Sequence, residues 1–138
     1  MYLYFHNDRM DGMRTLWIAL FLGWIGVGVS AQDFYQQEIT DEIFARIEGK
    51  SFKANCTTSR EDLRYLRVLH YNKDREVLEG ELVCHKDIAD DLLAIFQELY
   101  KAAYPIERMV LIDEYDADDE ASMRANNTSA FNFRPASG

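Results

Sequence analysis

The residues best suited to chemistry lie toward the C-terminal end, where Asn127-Thr128-Ser129 leads through Ala130-Phe131-Asn132-Phe133 to Arg134. The planar fork of an arginine matches a peptide carboxylate or a developing oxyanion through two parallel hydrogen bonds. An amide and a hydroxyl at Asn127 and Ser129 could hold a peptide backbone beside it. Asn127 and Ser129 could thus belong to a substrate-binding loop, with Arg134 as an electrophilic clamp. The same residues also read as turn chemistry and as an ion-pair partner for the neighbouring acids. Those acids are Asp113, Glu114, Asp116, Asp118, Asp119 and Glu120. They lack the spaced ligands, central glycine and closing glutamate of a calcium loop. Acids are favoured in the first turn of a helix, so the run is expected to be a solvated loop and helix start, with Asp113 and Asp116 nearest the preceding strand. A catalytic zinc needs three protein ligands and an open position. His6, His70 and His85 do not supply them, so no metal ligands are expected in this chain.

The elements that must position these residues are legible upstream. Thr40 can cap a short helix over residues 41–48, with acids in its first turn and Gly49 behind it. Residues 63–71 and 77–85 read as strands joined by the polar turn Asn72-Lys73-Asp74-Arg75, a hairpin whose imperfect alternation leaves the register open. Residues 87–100 form the clearest helix, with Ile88, Leu92, Ile95, Phe96 and Leu99 as its core-facing stripe. Pro105 ends the connection, and residues 108–112 read as a third short strand before the acids. The expected fold class is α+β: a small antiparallel sheet with flanking helices in one domain.

The 138 residues carry a net charge of −9 and are 48% hydrophobic. Such an acidic chain lacks the basic footprint that nucleic acid or an anionic lipid surface demands. Arg14 precedes an apolar run from Leu16 to Val29, and Val29 and Ala31 stand where a signal peptidase reads. The run is shorter than the roughly 20 apolar residues of a membrane span. Residues 1–31 therefore read as a cleaved signal peptide, leaving residues 32–138 as the mature domain with no stable membrane anchor. Export also bears on Cys56 and Cys84: an even count in an exported chain favours one disulfide between them. It would close a loop of about 28 residues and contribute roughly 3 kcal/mol. A metal-binding or nucleophilic thiol is the alternative, and no histidine pattern supports it.

The stretch ID-EYDADDEASM-ANNTSAFN-RP within residues 111–135 resembles the segment just before the zinc site of secreted D-alanyl-D-alanine carboxypeptidase-like peptidases, the L,D- and D,D-peptidases with a hedgehog-type zinc fold. The similarity extends through Asn55-Cys56-Thr57, Arg60-Glu61-Asp62-Leu63-Arg64-Tyr65-Leu66 and Gly80-Glu81-Leu82-Val83-Cys84, from about Ile39 to Gly138. The resemblance implies hydrolysis of peptidoglycan stem peptides or cross-links, peptidoglycan peptide as partner, and a secreted, periplasmic or cell-envelope location. It implies zinc as the cofactor of the full-length domain, held by a Ser-x-His-x-x-Gly-x-Ala-x-Asp motif and a later histidine, both of which the family places after the last residue here. This chain is then the front half of such a domain, truncated before its zinc motif and inactive alone. The resemblance also implies a catalytic role for Arg134, as the oxyanion-stabilising arginine that related enzymes carry just before that motif. The alternative of another class is a small secreted, disulfide-stabilised binding module whose acidic surface engages a cationic partner.

Overall fold

The hairpin dictates the rest of the architecture. In the computed structural model, which describes residue 30 and residues 32–135, strands β2 (Leu63–Tyr71) and β3 (Val77–His85) pair antiparallel over their full length, Leu63 opposite His85 and Tyr71 opposite Val77. The turn between them is locked by Asn72, whose Oδ1 accepts from the backbone of Asp74 and Glu76 at 3.0 and 2.9 Å. Arg75 takes the left-handed conformation, φ 63°, that such three-residue hairpin loops require. The third strand is β1 (Tyr35–Glu38), which pairs antiparallel with β2 and gives the order β1-β2-β3. The signal-peptide reading falls on residues outside those described.

Two helices cover opposite faces of this α+β fold. Helix α1 (Asp41–Ile47) is capped by Thr40, whose hydroxyl accepts from the Ile43 amide at 3.3 Å. It lays Ile43 and Ile47 on Leu63, Tyr65 and Val83. Helix α2 (Lys86–Lys101) covers Leu66, Val68, Leu82 and Cys84 with Ala89 and Phe96. Where both covers overlap, consecutive residues are buried: Tyr65 with Leu66, and Leu82 through Cys84. A strand buried on both faces loses its apolar–polar alternation, which is why the hairpin's alternation looked imperfect.

Two expectations need correction. The buried stripe of α2 runs through Ala89, Leu92, Leu93, Phe96, Leu99 and Tyr100, so Leu92, Phe96 and Leu99 face the core as expected, while Ile88 and Ile95 stand 46% and 52% exposed. The helix is turned so that Tyr100 meets Tyr71 in a stack at 5.0 Å and Phe34 edge-on at 5.7 Å. Residues 108–112 are not a strand, because they belong to a chain segment that crosses the sheet. The Ile106 amide donates to the Tyr71 carbonyl at 2.7 Å, on the β1 side of β2. The Glu81 amide donates to the Met109 carbonyl at 2.9 Å, on the outer edge of β3. Between those points the chain passes over the α2 face. His70, buried there, donates from Nδ1 to the Ile106 carbonyl at 2.7 Å. Gly80 leaves the room: a Cβ at that position would lie 2.8 Å from the Met109 Cβ and 3.1 Å from both His70 and Val68.

The Cys56 and Cys84 sulfurs are not joined in this structure. Cys84 points into the α2-side core, whereas the loop that carries Cys56 is anchored on the α1 side through Phe52. Burial pushes the Cys84 thiol up to about 11.

Three outcomes are expected. Gly80→Ala should lower the urea unfolding free energy by about 1–3 kcal/mol, as overpacking a tight site does, and an unchanged midpoint would refute the tight crossing. Ellman titration of native protein should detect Cys56 quickly and Cys84 only on unfolding; denatured protein without any thiol would restore the disulfide. Because the folded Cys84 thiol is protonated to higher pH than the unfolded one, its contribution to stability should be constant below about pH 8.5. It should then fall as pH rises toward 11.

Candidate functional site

After Met109 the chain turns around the edge of β3 and reaches the α1 side, where Leu111 joins the core. The acids then follow a tight path: a 3₁₀ turn (Ile112–Tyr115), left-handed Asp116 and Ala117 at φ 53° and 59°, and helix α3 (Asp119–Arg124) capped by Asp118. Left-handed geometry costs a non-glycine residue about 1 kcal/mol, so its persistence here needs fixed partners. Asp113 is one anchor. It is buried rather than solvated, and its Oδ1 accepts from the Ser51 amide at 2.9 Å. Lys50 adds a bond to the Asp113 carbonyl at 3.0 Å and an ion pair with Asp116 at 3.2 Å.

Asn127 closes the loop. Its Oδ1 accepts from the Val110 amide at 2.9 Å, and its Nδ2 donates to the Val110 carbonyl and the Ser122 hydroxyl at 3.0 and 3.1 Å. The Thr128 amide donates to the Arg108 carbonyl at 2.9 Å. The Asn127 side chain is thus committed to holding residues 111–126 against the crossing segment. Ser129 is half-buried in the strap that follows, and Phe131 seats that strap on Phe52 with ring centroids 6.5 Å apart.

Arg134 lies at the end of the strap, 65% exposed, with its guanidinium 2.5 Å from an Asp119 carboxylate oxygen. Asn132 donates to the same carboxylate at 3.1 Å. Arg134 first, and the Asn132 amide after it, hold the Asp119 carboxyl below its usual range. The structure therefore brings Arg134 together with Asp119 and Asn132, and puts Asn127 to work behind them.

Spacing in the sequence did not show a second polar group on the α1 side of the sheet. Arg46 grips Glu81 through both terminal nitrogens, at 2.9 and 2.5 Å, and reaches Glu114 at 3.1 Å. The Tyr65 hydroxyl donates to Glu81 at 2.7 Å, and Arg67 pairs with Glu79 alongside. Burial alone would raise the Glu81 carboxyl, but the Arg46 and Tyr65 bonds outweigh it and hold the group below its usual range. The available signal was diagonal pairing across the hairpin, Tyr65 with Glu81 and Arg67 with Glu79. Arg46 sits on another element and could not be placed that way. A shallow cleft of about 250 Å³ opens beside this group, lined by Gln32, Asp33, Tyr35, Arg67, Leu69 and Glu79. Its charges are largely paired with one another.

Each of the two described histidines already spends one ring nitrogen on a local bond. His70 spends Nδ1 on Ile106, and His85 uses its Nδ1 to cap α2 by accepting from Asp87 at 3.2 Å. Among the described residues no three His, Cys, Asp or Glu side chains converge on one point, and no helix is long and apolar enough to cross a membrane. No protein-family model, no curated protein and no solved structure matches the chain.

Arg46→Ala leaves Glu81 half-buried without its main partner. It should cost about 1–2 kcal/mol, between the values for exposed and buried pairs. A depressed carboxyl stabilises the fold above its unfolded pKa and loses that contribution as pH falls through the folded value. The acid-unfolding midpoint of Arg46→Ala, followed by circular dichroism, should therefore move to higher pH; an unmoved midpoint would show that Arg46 does not set the Glu81 charge.

Proposed function

We propose that this chain is the substrate-holding front part of a secreted zinc peptidase that acts on peptidoglycan stem peptides or cross-links. On this reading the chain alone neither holds catalytic zinc nor hydrolyses peptide. Its working residue is Arg134, which receives the carboxylate or developing oxyanion of a D-amino-acid peptide. The observation that carries the reading is the state of Arg134: a largely exposed guanidinium fastened by one carboxylate, Asp119, at the end of a braced strap. An arginine held this way keeps donors available for a second, planar acceptor. The residue pattern from Ile112 to Arg134 and the likeness it bears to the peptidase segment supply the rest of the support. Asn127 and Ser129 then shape the wall from behind, and the acids of residues 113–120 brace it. The metal ligands and general base belong to the part of the family pattern that follows Arg134. The location is the cell envelope or its exterior, where peptidoglycan peptide is the partner.

Two measurements test this. Purified residues 32–138 should bind substoichiometric zinc and release no D-alanine from a stem pentapeptide; metal at one equivalent together with turnover would overturn the inactive-alone reading. In amide NMR titrations, diacetyl-Lys-D-Ala-D-Ala should bind weakly, on the order of millimolar, with shifts centred on Arg134. Arg134→Ala should abolish them while the remaining spectrum stays native. Binding unaffected by that substitution would sink the clamp.

A further inference from the structure

Arg134 hangs from a frame that is fixed on both sides of the preceding residue. The Phe133 amide donates to the Ser51 carbonyl at 3.0 Å, and the Phe133 carbonyl accepts from Lys53 Nζ at 2.8 Å. One residue earlier, Asn132 Nδ2 bridges two groups at 3.1 Å each: the carbonyl of left-handed Ala117 and the Asp119 carboxylate. Asp119 is the first residue of α3, directly after the cap Asp118. Its side chain is 39% exposed against 65% for Arg134. The less mobile partner is therefore the acid, which is itself held by an amide that also pins the loop.

An unrestrained arginine carries about 2 kcal/mol of rotamer entropy, which a ligand must overcome each time it binds. A fixed carboxylate on one side of the guanidinium removes much of that freedom beforehand, as preorganisation does at functional sites generally. The same carboxylate repels an incoming anion. Asp119, Asp118 and Glu120 oppose it, and Lys53 and Arg134 attract it. The two effects predict opposite outcomes for removing the Asp119 charge.

We infer that Asp119 is the positioning residue of the Arg134 clamp, and that Asn132 sets Asp119 in turn, so that the clamp accepts the terminal carboxylate of a peptide in one orientation. This rests on the reading of Arg134 given above. Asp119 touches no substrate and acts only through the arginine. Lys53, by holding the Phe133 carbonyl, keeps the base of the clamp still and adds positive potential.

The test compares wild type with Asp119→Asn, which spares the Asp118 cap, and with Asn132→Ala. The first readout is the Arg134 Nε–Hε NMR signal. It should be a distinct, slowly exchanging peak in wild type, collapse to the averaged free-arginine position in Asp119→Asn, and broaden in Asn132→Ala. The second is affinity for diacetyl-Lys-D-Ala-D-Ala, which should fall about tenfold in Asp119→Asn, the loss of one charge-assisted bond. An unchanged Arg134 signal overturns the inference, and so does equal or tighter peptide binding, the outcome of repulsion alone. If wild type binds no peptide, the clamp reading fails by itself, and the Arg134 signal alone decides the positioning role.

Discussion

The close passage of Met109 over Gly80 is the constraint on which the downstream structure depends. A Cβ on residue 80 would meet Met109 at 2.8 Å, a separation that packed atoms do not tolerate. The absent side chain lets the chain leave the β1 side of the sheet, cross its α2 face and emerge at the outer edge of β3. His70 fixes the start of that crossing through Ile106, and the Glu81–Met109 hydrogen bond fixes its end. Leu111 can then enter the second core, and the acidic loop is delivered to the side of the sheet where α1 and the loop after it provide partners. A side chain at residue 80 would strain that crossing, and with it the path that brings Asp113 to Ser51.

Electrostatics on the α1 side follows from that delivery. The chain carries a net charge of −9, yet the acids nearest the sheet are neutralised locally. Glu81 lies between Arg46 and Tyr65, Glu114 shares Arg46, and Lys50 binds both the Asp113 carbonyl and Asp116. These contacts tie α1, both hairpin strands and the 3₁₀ turn together, so one arginine on a seven-residue helix links segments far apart in sequence. Exposed pairs of this kind are individually weak. The Glu81 pair counts for more, because its carboxylate is only 16% exposed and satisfies two donors there.

The hairpin, the first two helices and the short helix after the acids were legible because local chemistry sets them: Thr40 caps, Asn72 and Arg75 turn, and apolar residues recur at helical spacing. What was not legible was set by long-range geometry. Tyr35–Glu38 is too short and too polar to announce itself as a strand, and it becomes one by pairing with β2. Residues 108–112 have strand-like composition but are held by a crossing rather than a ladder. In the α2 stripe Leu92, Phe96 and Leu99 face the core as expected, while Ala89 and Tyr100 take the places expected of Ile88 and Ile95, with Tyr100 stacked on Tyr71. At the candidate site the strap and Arg134 stood out in the sequence, and their supports did not. Asp119 read as one solvated acid among several, and Asn127 read as a binding group or as turn chemistry, with nothing to show which backbone groups it would hold.

Whether Arg134 is merely a surface ion-pair partner or a clamp turns on how much structure is spent behind it. An ordinary surface pair needs two long side chains and contributes little. Here the acid is fixed by Asn132, the preceding backbone is held at both its N–H and its carbonyl, and the aromatic contacts from Phe131 through Phe52 to Phe44 seat the strap on the core. That bracing also holds two adjacent left-handed non-glycine residues, a conformation that persists only where the surroundings determine it. On the proposed reading, strain held in place beside an exposed guanidinium serves a preorganised anion-binding group.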